Sequence, residues 1–314
     1  MDPRLAARAL ARGGVFTRAD ALACGYSPDE IVSRLRTGAW TALRRGVYAD
    51  SRPEPGDERV LAAALAVLAP SAALSHRSAA LIHGLPLLGE PPTAVDVTVP
   101  GAAARRRPDL VVHGRALPAG QVTVVRRLRV TDVARTALDL ARRLPLPDAV
   151  VAVDAALAAG AARGEALRDL LELEVGPFSG HARRVVEFAD GRSESPGESL
   201  SRVAIASHGL PAPQLQAWVH DSAGPIGRVD FLWPEQRVVG EFDGRLKYRR
   251  PEDLWAEKRR EDRLRENHEV VRWVWSDAVG DFTPVAGRIR AAFARGAARV
   301  AGSLPHTLLG YSAS

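Results

Sequence analysis

The chain has 314 residues, and its 43 Lys and Arg against 37 Asp and Glu give a formal net charge of +6 at pH 7. Because domains usually run to roughly 100 to 200 residues, this length predicts two or three domains. The positive charge favours a polyanionic partner, with nucleic acid the first candidate. The sequence has a single cysteine, Cys24, so an intrachain disulfide is excluded. It contains no run of about 18 apolar residues, so no membrane-spanning helix is predicted. We therefore expect a cytoplasmic protein that is not membrane-bound.

Residues 1–52 predict a winged helix-turn-helix. Ser27 followed by Pro28 is typical of a helix start, and this third helix extends to about Arg36. Residues 40–48 then form two short predicted strands around an Arg-Arg-Gly turn. Three helices followed by a ribbon is the order of a winged helix. The apolar side of the third helix is predicted to consist of Ile31, Val32 and Leu35.

The third helix and the ribbon of a winged helix are the elements that contact DNA. The candidate DNA contacts are Ser33, Arg34, Arg36, Arg44 and Arg45. Winged helices also serve as protein-docking modules, and the sequence alone leaves that alternative open.

Residues 53–175 predict a mixed α/β middle domain. Its expected helices are 58–68, 75–83, 131–142, 147–159 and 165–173, and its expected strands are 95–99, 109–113 and 121–130. A looser segment, 176–197, is rich in Gly and Pro and predicts a connection. His76 and His83 lie near one helical face, but without a third ligand nearby we favour packing or capping over metal binding.

Residues 193–300 predict a third domain in which two apolar strands, 226–233 and 237–243, carry acids. If Glu235 and Gln236 form a two-residue loop, paired residues have numbers that sum to 471, which sets Asp230 opposite Glu241 at a Cβ separation of about 5 Å. Asp243 points to the same face, because side chains alternate along a strand.

Three carboxylates on one apolar face are unfavourable unless a cation neutralises them or their pKa values rise. Mg²⁺, or Mn²⁺ in its place, is the oxygen-seeking cation expected there, with Asp230, Glu241 and Asp243 as ligands. Such a metal activates water for phosphodiester hydrolysis. The alternative is that the acids lie in solvent at strand ends or pair with Arg228 and Arg245.

The segments GRVDFLWPEQRVVGEFDGRLKY and EKRREDRLRENHEVVRWVW resemble the very-short-patch-repair-like branch of the PD-(D/E)XK nucleases. The resemblance implies a restriction-endonuclease-like α/β domain in which Asp230 and Glu241 bind metal. The family usually has a lysine two residues after that glutamate, where this chain has Asp243, so Lys247 is the implied catalytic cation. It also implies an accessory role for Glu198, although the Ser-x-x-Glu pattern equally fits a capping box.

The predicted helix 252–267 carries a dense basic stretch. Arg259 and Arg263 share a face, at i and i+4, and are candidate phosphate contacts. Interleaved acids also allow a solvated helix held by salt bridges. The basic residues are Lys258, Arg259, Arg260, Arg263 and Arg265, and the acids are Glu257, Glu261 and Asp262.

Three phrases in the first two predicted domains resemble AbiEi-type antitoxins of type IV toxin-antitoxin systems. They are LRRGVY at 43–48, SHRSAALIHG at 75–84 and TDVARTALDL at 131–140. This resemblance implies a DNA-binding regulator with a toxin or another defence-system protein as partner.

The combined interpretation is a multi-domain α/β protein with a winged helix, a mixed middle domain and a nuclease-like third domain. Because the three acids occur together, the favoured function is a Mg²⁺-dependent DNA endonuclease with an N-terminal DNA-binding winged helix. The alternatives are a non-catalytic AbiEi-type DNA-binding regulator, and an interaction protein in a defence context.

Overall fold

The structure, a computed structural model, describes residues 1–52, 56–174, 176–244 and 251–302, with the side chains of 251–257 and 299–302 outside that description. The chain divides into two compact units, Met1–Ala189 and Asp190–Ser314. The domain limits expected at residues 52, 175 and 193 stay predictions.

The first fifty residues of the first unit fold as a winged helix. The sheet has the order β1-β3-β2 with antiparallel pairs, and Gly46 turns the ribbon with φ of +78°. Phe16 and Trp40 pack edge to face at 4.7 Å in the core of this region, beside Leu5 and Ile31. The elements are α1 Pro3–Ala11, β1 Val15–Thr17, α2 Arg18–Ala23, α3 Pro28–Arg36, β2 Trp40–Arg44 and β3 Val47–Asp50.

The rest of the first unit begins with a six-stranded mixed sheet of order β6-β7-β5-β4-β9-β8. Val15 and Val47 of the winged helix share one apolar cluster with Leu74 and Val130 of this sheet, so the two regions have a continuous core. The elements are α4 Asp57–Leu65, β4 Ala73–Leu74, α5 His76–His83, β5 Val95–Thr98, β6 Arg105–Arg107, β7 Leu110–His113, a 3₁₀ turn Ala119–Gln121, β8 Val122–Val125 and β9 Leu128–Thr131.

The single strand predicted at 121–130 is a hairpin of β8 and β9. Arg126 and Arg127 form its turn, with φ values of 49° and 68°. Positive φ is uncommon outside Gly, Asn and Asp, so this dipeptide carries none of the usual turn signals. The short strands β4 and β6 were also not predicted. β6 is the sequence Arg105-Arg106-Arg107, which lacks the β-branched and aromatic residues typical of strands.

Four helices complete the first unit, and one of them corrects a prediction. α9 occupies much of the segment 176–197 that was expected to be a loose connection. Its Ala182, Val185 and Val186 are buried on one face, and this amphipathic spacing outweighs the flanking Gly and Pro residues. The helices are α6 Val133–Arg143, α7 Leu146–Ala158, α8 Gly164–Leu173 and α9 Ser179–Phe188.

The second unit is a four-stranded sheet with helices. The order is β10-β11-β12-β13, with β13 parallel to β12 and the other pairs antiparallel. Phe231, Trp233 and Trp273 are fully buried. The elements are α10 Pro196–Ser207, β10 Gln214–Asp221, β11 Gly224–Trp233, β12 Val238–Asp243, α11 Pro251–Asn267, β13 Glu269–Val274, α12 Trp275–Val279 and α13 Thr283–Gly302. This is a mixed α/β fold, and its restriction-endonuclease-like assignment stays a prediction. None of the helices among the described residues is long and apolar enough to cross a membrane.

Candidate functional site

The exposed side of α3 is the face that a winged helix would offer to DNA. A capping box fixes its start, because Ser27 Oγ accepts from the Glu30 N–H at 3.2 Å and the Glu30 carboxylate accepts from the Ser27 N–H at 2.7 Å. Ile31 is fully buried on the side of the helix that faces the core. The predicted placement of Val32 beside it is wrong, because Val32 is 57% exposed. Asp29, Val32, Ser33 and Arg36 are all exposed, and their i, i+3, i+4 and i+7 spacing forms one solvent-facing row.

Arg34 lies between the exposed row of α3 and the core. Its guanidinium carbon is 5.1 Å from the ring centre of Tyr26 and 5.3 Å from that of Trp40. Such cation–π contacts hold a guanidinium in place while leaving its edge able to donate hydrogen bonds. Arg34 is therefore half-buried, whereas Ser33 and Arg36 are exposed.

The two wing arginines differ in their surroundings. Arg45 is exposed beside the turn glycine Gly46. Arg44 is ion-paired with Asp109 at 2.7 Å, and its side chain is only 12% exposed. Arg45 is thus the wing arginine available to a phosphate, and Arg44 holds the wing against the loop that precedes β7.

The charge on α3 is polarised along the helix axis. The acids Asp29 and Glu30 lie in its first turn, and Arg34 and Arg36 lie in its last. The acids at the first turn repel phosphates, so a duplex on this face would meet its basic groups at the C-terminal half of α3 and at Arg45. Val32 is an apolar group in the same row that could contact a thymine methyl.

The acidic centre of the second unit forms at the hairpin of β11 and β12. The pairs Phe231 with Gly240 and Trp233 with Val238 have the predicted sum of 471. Within this hairpin the Asp230 carboxylate accepts a hydrogen bond from the Phe242 N–H at 2.9 Å. It is half-buried and lines a cavity of about 360 Å³ together with Glu198, Glu241 and Asp243.

Two arginines neutralise Glu241. Arg260 lies 2.8 Å from one carboxylate oxygen and Arg272 lies 3.0 Å from the other. Arg272 also reaches Glu261, at 3.2 Å. The alternative of ion pairing therefore applies to Glu241, but with arginines other than the two that were named. Arg228 pairs with Glu194 at 2.7 Å, and Arg245 lies outside the described residues.

Glu198 caps the start of α10. Its carboxylate accepts from Ser195 Oγ at 2.8 Å, from the Glu194 N–H at 2.9 Å and from the Gln216 amide at 2.9 Å. A carboxylate with three such donors is satisfied within the protein. Lys247, which the resemblance implied as a catalytic cation, lies outside the described residues.

The acidic residues do not fit a Mg²⁺ ion in this arrangement. Both oxygens of Glu241 face guanidinium groups, and those of Asp230 face the Phe242 N–H and, at 3.3 Å, the Gln216 amide. In the part of the chain that the structure describes, no group of three or more His, Cys, Asp or Glu side chains is placed to hold a metal. The repulsion that predicted a metal is partly offset here by the arginines at Glu241 and by the hydrogen bonds to Asp230.

Burial raises the pKa of Asp230 to about 6. The hydrogen bond from the Phe242 N–H opposes this shift, and the neighbouring Glu198 and Glu241 carboxylates add to it. The largest cause of the shift is therefore the desolvation cost of the Asp230 carboxylate.

The remaining predicted site residues lie apart. Arg263 of α11 forms a two-point contact with the Asp221 carboxylate, at 2.7 and 2.9 Å, whereas Arg259 is exposed. His83 Nε2 bonds the Thr131 carbonyl at 2.7 Å, and His76 stacks on His113. The two histidines have separate packing and hydrogen-bonding partners.

Two family matches cover most of the first unit. Residues 3–49 match the family described as transcriptional regulator, AbiEi antitoxin. Residues 64–187 match the AbiEi antitoxin C-terminal domain. The likeness to AbiEi antitoxins is thereby confirmed. The residues that match the regulator family are those that form the winged helix.

Relatives of similar length also exist. Rv2248 and MT2308, two uncharacterized proteins from strains of Mycobacterium tuberculosis, are each 32% identical over 264 residues, which is 83% of this chain and 94% of theirs. A stretch of that length exceeds the first unit and so extends into the second. A crystal structure of the Rv2827c protein from the same species is similar with a TM-score of 0.42 and 20% identity, over 70% of this chain and 90% of that one.

These matches correct the predicted function. The Mg²⁺-dependent endonuclease is wrong as the main interpretation, because both family matches are to antitoxin and regulator domains. The clustered acids misled the prediction, since the partners of Glu241 come from α11 and β13 and cannot be read from the hairpin. The chain belongs to the same family as the two Mycobacterium tuberculosis proteins, and it carries the regulator and C-terminal domains of AbiEi antitoxins.

Proposed function

We propose that this protein is a non-catalytic, DNA-binding transcriptional regulator of the AbiEi antitoxin type. The observation that carries the proposal is the coincidence of the winged helix with the regulator match at residues 3–49. The exposed row of α3 and the wing arginine Arg45 belong to that segment.

The DNA contacts in this proposal divide into two kinds. Arg36 and Arg45 are exposed cations that would bind phosphates and position the domain. Val32 and Ser33 are uncharged members of the α3 row and would approach base edges in the major groove. Arg34 is braced by Tyr26 and Trp40 and would supply a preorganised guanidinium.

The antitoxin context adds a protein partner. Both family descriptions name an antitoxin, so we include a toxin partner in the proposal. A candidate toxin from the genes next to the one encoding this chain should arrest bacterial growth, and co-expression of the chain should restore growth. Continued arrest with every neighbouring toxin candidate would remove the antitoxin part.

The DNA part is tested by fluorescence anisotropy with the full chain. The probes are a labelled duplex from the region upstream of its own gene and a scrambled duplex of equal length. We expect tighter binding to the upstream duplex and a linear fall of log affinity with log salt concentration. Absence of binding to either duplex at low salt would overturn the proposal.

A matched pair of double variants locates the interface. Arg36→Ala with Arg45→Ala should reduce the magnitude of the salt slope by about 1.8, which is about 0.9 for each lost phosphate contact. Arg163→Ala with Arg168→Ala removes the same charge from exposed positions elsewhere in the first unit and should leave the slope unchanged. Equal effects of the two double variants would mean that α3 and the wing are not the DNA contact.

A further inference from the structure

A large cavity lies in the first unit, away from the winged helix. It is open to solvent on one side and is lined by the start of α5, the end of α6, the loop 90–94 and the strands β5, β6 and β7, and its volume is about 700 Å³. Pockets that bind small molecules usually have volumes of about 300 to 1,000 Å³. The cavity is therefore large enough for an organic ligand of moderate size.

The walls of the cavity carry an excess of positive charge. Four arginines line it, against Glu90 and Asp96. Asp96 is occupied by His113, whose Nε2 lies 2.8 Å from its carboxylate. With the imidazoles neutral, the lining has a formal charge of +2. The arginines are Arg77, Arg105, Arg106 and Arg143.

The start of α5 carries hydrogen-bond donors that face no acid of its own first turn. Arg77 Nε is buried and has no hydrogen-bond partner among the described residues. No side chain caps the first turn of α5, which begins at His76. The first N–H groups of a helix and a guanidinium are both donors that favour an anion. The start of α5 therefore adds to the positive potential of the cavity.

A pair of stacked histidines forms part of the cavity wall. The rings of His76 and His113 lie 3.6 Å apart with an angle of 14° between them, and both residues are almost fully buried. Burial and the neighbouring His113 hold the pKa of His76 well below its ordinary range, so His76 is uncharged at neutral pH. His76 also has a φ of +49°, a conformation that costs about 1 to 3 kcal/mol outside glycine and that clusters at binding sites.

We propose that this cavity binds a small organic phosphate of about the size of a nucleoside monophosphate. A phosphate monoester carries a charge of about −1.5 to −2 at pH 7, which matches the +2 of the lining. Guanidinium groups bind its oxygens by paired hydrogen bonds. The cavity is much larger than a phosphate ion, and Pro91, Pro92, Leu140 and Leu144 provide apolar wall for the organic part.

Isothermal titration calorimetry on the full chain tests the ligand class. The probes are AMP, GMP and glucose 6-phosphate, with adenosine as the uncharged control and citrate as the carboxylate control. We expect at least one phosphate to bind with a dissociation constant below about 1 mM, and adenosine and citrate to bind at least tenfold more weakly. Failure of all three phosphates would overturn the proposal. Equal binding of citrate would overturn the assignment to phosphates.

Neighbouring arginines on one strand provide a matched control for the location. Arg106 and Arg107 are both exposed on β6, but only Arg106 lines the cavity. Arg106→Ala and Arg143→Ala should each weaken binding by about 10- to 100-fold, the loss expected for one charged hydrogen bond. Arg107→Ala should leave the affinity within about twofold. An equal loss with Arg107→Ala would mean that the ligand binds outside the cavity.

The cavity residues are separate from the DNA contacts proposed above. The double variant at Arg36 and Arg45 should bind the phosphate with the parent's affinity. Conversely, Arg106→Ala should keep the parent's affinity for DNA when no phosphate is present. The experiments can therefore contradict the proposed phosphate site without contradicting the proposed DNA binding, and the reverse.

Discussion

The guanidinium of Arg44 lies 2.7 Å from the carboxylate of Asp109 and also donates to the Asp109 backbone carbonyl at 2.6 Å. This contact fastens the wing to the loop before β7. It separates two adjacent arginines by role, because Arg45 next to it remains exposed.

Replacement of Arg44 should affect stability more than DNA binding. The carboxylate of Asp109 is 63% exposed, so the ion pair is screened by solvent, and Arg44→Ala should lower the free energy of unfolding by only about 1 kcal/mol. Arg45→Ala should leave stability unchanged and weaken DNA binding. Thermal unfolding followed by circular dichroism, together with anisotropy titrations, measures both. The reverse pattern would contradict the assigned roles.

Glu241 should be a structural residue of the second unit. Glu241→Gln leaves Arg260 and Arg272 without a charged partner at that position, so we expect a loss of about 2 kcal/mol in unfolding free energy. Five of the six tryptophans lie in the second unit, and the sixth is Trp40. Urea unfolding followed by tryptophan fluorescence therefore reports mainly on the second unit. Glu235→Gln, at an exposed turn position, is the control and should have no effect.

Asp230 should make the second unit less stable as pH rises. Its pKa is about 6 in the fold against an ordinary 3.8, so the folded protein holds the proton more tightly than the unfolded chain. This contribution to the free energy of unfolding is complete below about pH 4 and disappears as pH rises through about 6. The shift in pKa sets an upper bound of about 3 kcal/mol on the contribution, and we expect about 1 to 2 kcal/mol because the carboxylate is partly exposed.

The same shift predicts the behaviour of a substituted protein. Asp230→Asn removes the titrating group, so its unfolding free energy at pH 7 should equal or exceed the parent's, and the fall between about pH 4 and 6 should shrink. Asp262→Asn, at an exposed position on α11, should retain the parent's pH dependence. An Asp230→Asn protein that is less stable than the parent at pH 7 would contradict the assigned desolvation cost.

Added Mg²⁺ should not stabilise the second unit. A ligand that binds only the folded state raises its stability according to ligand concentration and affinity. Because arginines and backbone donors occupy the carboxylates of Glu241 and Asp230, millimolar Mg²⁺ should shift the fluorescence-detected unfolding midpoint no more than a matched increase in ionic strength. A larger shift, lost in Asp230→Asn, would mean that the acids do bind the metal.

Local patterns predicted the elements of the fold better than they predicted the electrostatics of the sites. The hairpin register followed from a two-residue turn and alternation, which are local rules, and the sum of 471 is observed. The charge of Glu241 is neutralised by Arg260 and Arg272, which lie 19 and 31 residues away along the chain. Likewise the pairing of Arg44 with Asp109 spans 65 residues and has no local signal.

Exposure within a helix was also only partly predictable. Val32 was expected on the apolar side of α3 because it is adjacent to Ile31, but a step of one residue rotates a side chain by about 100° around the helix. Its 57% exposure places it in the solvent-facing row with Ser33 and Arg36. The sequence alone could not show where on the surface of α3 the buried face ends and the exposed face begins.

The most direct test of a non-catalytic DNA-binding regulator is incubation of the full chain with supercoiled plasmid and Mg²⁺. Half of each sample is run on an agarose gel as it is, and half after removal of protein. We predict that the plasmid is retarded in the first half and fully supercoiled in the second. Nicked or linear plasmid in the second half, produced by the parent but not by Asp230→Ala, would contradict this account, and so would a plasmid that is never retarded.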